Sequence, residues 1–327
     1  MKCNFKVGKI MQIILSEAER QLVDALVQNS RYTPAILGQL VGKSRNWVSR
    51  AVKGLVKSGI IRGYTTIIDP AQVPSARGTI LFMKSNPREG HVSTNLMKME
   101  ELESLDGIGG DFSLIGTFRY NSQRAFEDLL DQVDIVAASS GTSKYHLVQV
   151  LTTYKKNRFR IIPTESSHAP LSAKELELLR IIYRQEPTLE NPYPLTQDKI
   201  GALMTPPLSQ PAVSKAIDKL TMRRAIVGYS IDMDYGLIGL PVKFFIRVKV
   251  VPGTASEIAH ELANYEEVWD LYRTSEDYSL LATVRTSSIA SYNQFLKKMY
   301  ANEAVLDTHS YVSLEEWFIP FAGPVDD

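Results

Sequence analysis

The chain has 327 residues, a formal net charge of +1 and one cysteine, Cys3. Its length exceeds that of one ordinary domain, and near-neutral charge excludes polyanion binding by bulk charge alone. A single cysteine excludes an intrachain disulfide framework, and no apolar run approaches the roughly 18 residues that span a bilayer. The opening MKCNFKVGKIMQIIL is followed by no small-residue cleavage site, so a soluble, cytoplasmic protein is expected, with Met11 as an alternative start.

Taken in chain order, Ser16 followed by Glu19 is a capping-box pattern opening a helix with Leu22, Leu26 and Val27 on one face. A second helix is predicted near Pro34–Val41, with Pro34 in its first turn. After a turn at Gly42, Ser44 caps a third helix whose apolar face is Val48, Ala51, Val52, Leu55 and Val56. Gly59 ends it, and IIRGYTTIID supplies strand residues around a Gly turn. Helix, helix, tight turn, helix and ribbon form a winged helix-turn-helix pattern. Beyond it RGTILFMKS reads as a strand, Val92–Leu105 as a helix, FSLIGTFRY as a strand, SQRAFEDLLDQV as a helix and HLVQVLTTYK as a strand. With another strand before the Asp111 loop, this is a ferredoxin-like βαββαβ unit, one sheet face covered by helices and the other free to meet a second sheet.

The same order returns. LSEAERQLVDAL from Leu15 is echoed by LSAKELELLRII from Leu171, SRNWVSRAVKGLVKSGIIRGY from Ser44 by SQPAVSKAIDKLTMRRAIVGY from Ser209, and GDFSLIGTFRY from Gly110 by EDYSLLATVRT from Glu276. An insertion around LENPYPL (Leu189–Leu195) accounts for the change in offset. The fold class is therefore α+β, two copies of a winged helix-turn-helix followed by a ferredoxin-like unit. The boundaries read as 12–70 and 71–158 for the first copy, a linker at 159–170, and 171–235 and 236–327 for the second.

A winged helix-turn-helix carrying WVSRAVKGLVKSGIIRGYTTIID, followed by a βαββαβ unit carrying GDFSLIGTF, resembles the Lrp/AsnC feast/famine transcription regulators, twice over from about Leu15 to Pro320. The resemblance implies binding to double-stranded DNA and a ligand-sensing (RAM-type) domain through which copies self-associate face to face. It also implies tuning by an amino acid or related small metabolite, with no cofactor. Family chains are single-copy, so this one implies a built-in pseudo-dimer, leaving open whether sensing units pair within or between chains.

The third helix is basic without an acidic residue. Arg45, Asn46, Ser49 and Arg50 lie where base edges are read, while Lys43, Lys53 and Lys57 suit phosphates, with Ser44 at the cap and Arg62 in the wing. An ordinary solvated helix face would mix signs. In the second copy the equivalent positions are Gln210, Ser214, Lys215 and Lys219, with Asp218 standing where Lys53 stood. Ser16–Asp69 carries eight basic residues against four acidic, whereas Ser172–Asp234 carries eight against eight, so the first head is expected to dominate DNA affinity.

The resemblance places effectors near the loop before the GDF strand and near the last strands. In this chain that implies Gly109, Gly110, Asp111, Ser139, Ser140 and Thr142 in the first copy, and Thr274, Ser275, Asp277, Thr308 and Ser310 in the second. Ordinary turn roles for these residues stand beside that reading. Two other functions remain open: an enzyme like the siroheme decarboxylases, which share this architecture, and a metabolite-binding assembly protein with vestigial DNA heads. The scattered histidines His91, His146, His168, His260 and His309 form no catalytic motif, and no metal-ligand cluster, nucleophile elbow or P-loop is present in the sequence.

Overall fold

A computed structural model describes residues 15–73, 77–141, 144–162, 170–317 and 319. The first three helices are α1 (Glu17–Gln28), α2 (Pro34–Leu40) and α3 (Arg45–Lys57). Ser16 and Glu19 form a reciprocal capping box on α1, Thr33 caps α2 with Pro34 at its start, and Ser44 Oγ accepts from the Trp47 amide at 3.2 Å to open α3. Strand β1 (Ile61–Ile68) follows, then β2 (Arg77–Lys84), α4 (Gly90–Leu96), β3 (Leu102–Gly109), β4 (Leu114–Tyr120), α5 (Gln123–Ala138), β5 (Lys144–Lys156) and the short β6 (Phe159–Arg160). The order then recurs: α6 (Ala173–Tyr183), the short β7 (Arg184–Gln185), α7 (Gln197–Leu203), α8 (Gln210–Met222) and β8 (Ile226–Met233). After a 3-10 turn at Tyr235–Ile238 come β9 (Val242–Val250), α9 (Ala255–Leu262), β10 (Val268–Thr274), β11 (Leu280–Thr286), α10 (Ile289–Met299) and β12 (Val305–Trp317).

The larger sheet runs β10-β11-β9-β12-β3-β4-β2-β5-β6, and β5 also pairs antiparallel with β10, so all its strands but β6 close into a ring. Two seams join the halves of the chain: β12 on β3, with Val312 opposite Gly109, and β10 on β5, with Arg273 opposite Thr152. Closure leaves no open edge in the ring. Alternate side chains (Ile80, Phe82, Ile115, Phe245, Tyr272, Leu281 and Tyr311 among them) fill its interior. The opposite faces pack under α4 and α5 in the first half and under α9 and α10 in the second. Phe82 and Tyr311 are almost wholly buried, and each such side chain contributes about 1.5–3 kcal/mol. Among the described residues no helix is long and apolar enough to cross a membrane.

The α1–α3 and α6–α8 units meet through a smaller sheet, β7-β1-β8, in which Tyr64 of β1 lies opposite Ile231 of β8. Each unit completes its core with the other's strand. Ile231 and Met233 join the α1–α3 core, and Ile68 and Val73 join the α6–α8 core. The LENPYPL insertion lies against the first unit, where Tyr64 Oη donates to the Pro192 carbonyl at 2.5 Å.

Three sequence expectations are corrected. IIRGY makes no Gly turn: Gly63 sits within β1 opposite Asp232, because β8 supplies the partner that a local ribbon would have supplied. Arg62 is therefore on a sheet strand rather than a free wing. The helix expected over Val92–Leu105 stops at Leu96, since pairing of Leu102–Gly109 with β4 and β12 outweighs the local helical pattern. The expected linker begins as β6, folded back on β5, while residues 163–169 lie outside the described residues.

Candidate nucleic-acid interface and ligand sites

The turn between α2 and α3 is set by a close approach. A Cβ on Gly38 would lie 2.6 Å from the Lys43 carbonyl oxygen, and one on Gly201 would lie 2.1 Å from that of Leu208, so only glycine lets the two helices meet at this angle. Val48, Val52 and Leu55 bury one face of α3, which leaves Arg45, Asn46, Arg50, Lys53 and Lys57 exposed and Ser49 half-buried. Lys43 projects from the turn, its Nζ 5.9 Å from the centre of the half-buried Trp47 ring. Among the described residues no carboxylate lies within ion-pair distance of Lys43, Arg45, Arg50, Lys53 or Lys57. Helix α3 thus presents positive charge that no described residue neutralises. Arg62 differs, its guanidinium donating to Asp234 at 3.0 Å.

On α8 Gln210, Lys215, Asp218 and Lys219 are exposed, along with Pro211, Thr221 and Met222, and Ser214 is half-buried. Lys219 is taken up by Glu175 at 2.8 Å. Desolvation works to raise the Glu175 carboxyl, but Lys219 and Ser172 together hold it down to about 2. Gln210 donates to Gln197, and Ser209 makes no side-chain cap. This leaves Lys215 beside Asp218, a face near neutrality.

The residues expected to hold an effector are dispersed. Gly109 ends β3, Gly110 has φ +132° with the Tyr311 ring 3.3 Å from where its Cβ would be, and Asp111 is exposed. Ser139 and Ser140 instead cap the end of α5. Ser140 Oγ and the Gly141 amide donate to Glu89 at 2.7 and 2.8 Å, and Ser140 with the Asn86 and Gly141 amides holds that carboxyl down to about 2. Thr142 lies outside the described residues. In the second half Thr274 Oγ1 donates to the Tyr278 carbonyl, the Ser275 amide bonds to Gln149 across the seam, and Asp277 lies 3.4 Å from Lys249. Thr308 and Ser310 turn to α10, bonded to Tyr300 at 2.9 Å and Tyr292 at 2.6 Å. The Gly110–Asp111 and Thr274–Asp277 turns lie at the end of the ring, while Ser140 is engaged with Glu89 and Thr308 and Ser310 with tyrosines of the α10 segment.

The densest chemistry lies where sequence reading did not look. At one seam Lys243 Nζ sits 2.9 Å from Asp106 and 2.8 Å from Glu316, Arg285 also donates to Glu316, and Ser313 Oγ donates to Asp106 at 2.6 Å. Burial pushes the Asp106 carboxyl up, whereas Lys243 and Arg285 hold Glu316 down to about 2 against its own desolvation. Across the other seam Lys156 Nζ donates to Tyr272 Oη at 3.0 Å, and beside it Arg119 of β4 donates to Glu103 of β3 and to Tyr183 Oη. At the mouth of the ring Glu276 accepts from Arg247 at 2.6 Å and meets His146 of the other half. A sequence signal existed: Arg119 in LIGTFRY and Arg285 in LLATVRT are charges in otherwise apolar strands. Between the smaller sheet and the ring lie two cavities of about 300 and 170 Å3, both reaching Glu103, Thr117, Lys156, Tyr183 and Tyr272. Among the described residues no group of three or more His, Cys, Asp or Glu is placed to hold a metal ion.

Residues 243–319 match the family model described as the Lrp/AsnC ligand binding domain. The HTH-type transcriptional regulator FL11 of Pyrococcus horikoshii is 31% identical over 108 residues, which is 33% of this chain and 72% of that protein. The HTH-type transcriptional regulator LysM of Sulfurisphaera tokodaii is 30% identical over 112 residues, covering 34% of this chain and 78% of the relative. Among solved structures, the siroheme decarboxylase NirDL in complex with an iron-uroporphyrin III analogue aligns over 91% of this chain and 92% of its own, with TM-score 0.58 and 15% identity. At that identity the likeness is one of fold.

Proposed function

The chain belongs to the Lrp/AsnC family, whose relatives are DNA-binding transcription regulators, and on that premise we propose that it is a sequence-specific DNA-binding regulator working as a covalent pseudo-dimer. In this reading 12–70 and 171–235 are DNA heads, 71–158 and 236–327 are sensing domains, and the linker is 159–170. The observation that carries it is the set of cations at Lys43, Arg45, Arg50, Lys53 and Lys57, unpaired among the described residues, on one face of a helix-turn-helix. A face of one sign costs self-repulsion that a polyanion relieves. Arg45, Asn46, Ser49 and Arg50 read bases, and the lysines hold phosphates. The first head is the stronger reader, because Asp218 and the Glu175–Lys219 pair discharge the second. The recurring element order, the matching glycines Gly38 and Gly201, and seams formed within the chain support the two-copy arrangement. An amino acid or related metabolite tunes binding from the end of the ring, at the Gly110–Asp111 and Thr274–Asp277 turns.

The test is selection of bound duplexes from a random DNA pool by purified protein at two salt concentrations. One strong half-site, with a weaker partner about one helical turn or a multiple away, is the expected result. Retention that ignores salt, with no enrichment, would discard this reading in favour of an assembly protein with vestigial heads. The whole-chain fold likeness to NirDL keeps the enzyme reading testable, and absorbance titration with a tetrapyrrole is its assay. Against it stands the size of the larger cavity, about 300 Å3 and at the lower end of small-molecule sites.

A further inference from the structure

The cavity of about 300 Å3 lies at the joint between the heads and the ring. Its walls come from four places: the exit of β1 from the first head, Tyr183 on α6 of the second, β2–β5 of the first half, and Tyr272 on β10 of the other. Among the described residues its cations are Arg77, Arg119 and Lys156, and its carboxylates are Glu103 and Asp69. Both carboxylates are already engaged. Glu103 is shared by Arg119 and Tyr183 Oη and lies 3.8 Å from Lys156, so one carboxylate faces two cations, and Asp69 accepts from the Ala71 amide of its own loop at 2.9 Å. Arg119 is held in place, its guanidinium 4.3 Å from the centre of the Tyr183 ring and 11% exposed. Facing these are apolar walls from Ile67, Ile68, Val150 and Ile161.

An excess of cationic charge on one wall and aliphatic surface on the other define the occupant. Buried cationic charge is costly unless an anion meets it, and the apolar wall favours a hydrocarbon part. An amino acid would bring an ammonium group that has no uncommitted carboxylate among the described residues here. We propose that this joint is a second regulatory site, distinct from the turns at the end of the ring, that binds a small organic carboxylate with a short apolar body. Its carboxylate pairs with Arg119 and Lys156, and its apolar part lies against Ile68 and Val150.

The consequence follows from the walls. Strand β1 leaves α3 directly, and Tyr183 belongs to the other head, so a ligand here braces both heads against the ring. It therefore shifts DNA affinity by the several-fold factor typical of coupled sites, about 5–150-fold. That consequence rests on the DNA-binding reading, whereas carboxylate binding does not.

Calorimetric titration of the full chain with benzoate and hexanoate tests the site, with benzamide, glycine and inorganic phosphate as comparisons. Saturable binding of the two carboxylates is expected, and at least tenfold weaker binding of benzamide, glycine and phosphate. Arg119→Gln should weaken the carboxylates at least tenfold. Leu151→Trp, at a 58% exposed position on the cavity wall, should do so by occlusion with circular dichroism unchanged. Should Arg119→Gln fail to fold, Leu151→Trp decides. Equal binding of benzoate and benzamide, or carboxylate binding indifferent to Leu151→Trp, overturns the site. DNA titration with and without benzoate then separates the two readings. Carboxylate binding with unchanged DNA affinity overturns the coupling, and carboxylate binding by a protein that retains no DNA overturns the regulator reading while supporting the site.

Discussion

Replacing Lys243 by Met keeps the aliphatic stem and removes the charge that serves two carboxylates across the β3–β12 seam. Glu316 retains Arg285, so its loss is partial. Asp106 is fully buried and keeps only Ser313. Removing one partner of such a pair costs about 3–5 kcal/mol because a charge is left uncompensated. Asp106 has an escape, which sets a ceiling: it can take up a proton. With an unfolded carboxyl near 3.9, that costs about 4 kcal/mol at pH 7 and only about 1.5 kcal/mol at pH 5. The sign follows from a folded pKa driven upward, since the penalty is present above the unfolded value and disappears as pH falls toward it. The expected loss is therefore about 3 kcal/mol at pH 7, shrinking to about 1 at pH 5. Urea unfolding of wild type, Lys243→Met, Asp106→Asn and the double variant at both pH values measures it. The double variant should recover most of the loss, because a neutral amide no longer requires the ammonium. A loss of the same size at both pH values, or a double variant no better than Lys243→Met, would refute the assignment of Asp106 as the charge that Lys243 neutralises.

Arg50→Ala should cost about 1–3 kcal/mol of DNA binding and relax base preference, while Lys215→Ala should cost well under half of that; equal losses in fluorescence anisotropy would end the proposed asymmetry of the heads. Ser44→Ala should destabilise α3 by about 1 kcal/mol, measured by helix-resolved hydrogen exchange, whereas Ser209→Ala should cost a few tenths because Ser209 makes no cap bond. Burial, with help from Arg158 and Arg160, pushes the Lys155 ammonium down to about 8. Its unfolded pKa is near 10.4, so this group makes the protein more stable as pH rises from about 8 toward 10. Denaturant midpoints at pH 7.5 and 10 should show that rise, roughly 2 kcal/mol, in wild type and not in Lys155→Met.

The local elements were legible because their signals are short-range. Ser16 with Glu19, Ser44, and Pro34 are capping and first-turn chemistry, and Val48, Val52 and Leu55 mark the buried face of α3 by spacing alone. The unmixed charge of α3 was equally plain, since no residue within reach along the chain could neutralise it. What the sequence could not supply was partnership between distant strands. Gly63 reads as a turn until β8, from the far half of the chain, appears opposite it. Leu102 and Leu105 read as helix until β4 and β12 claim them. The effector residues were placed by resemblance, and the structure gave Ser140 to Glu89 and Ser310 to Tyr292. The seam charges Asp106, Lys243 and Glu316 stand far apart in the chain, and Arg119 meets Tyr183 only when the ring closes beneath the heads. Secondary structure and surface charge are thus written in spacing and residue type. The buried ion pairs and the joint cavity exist only once non-local strand pairing brings the two halves together.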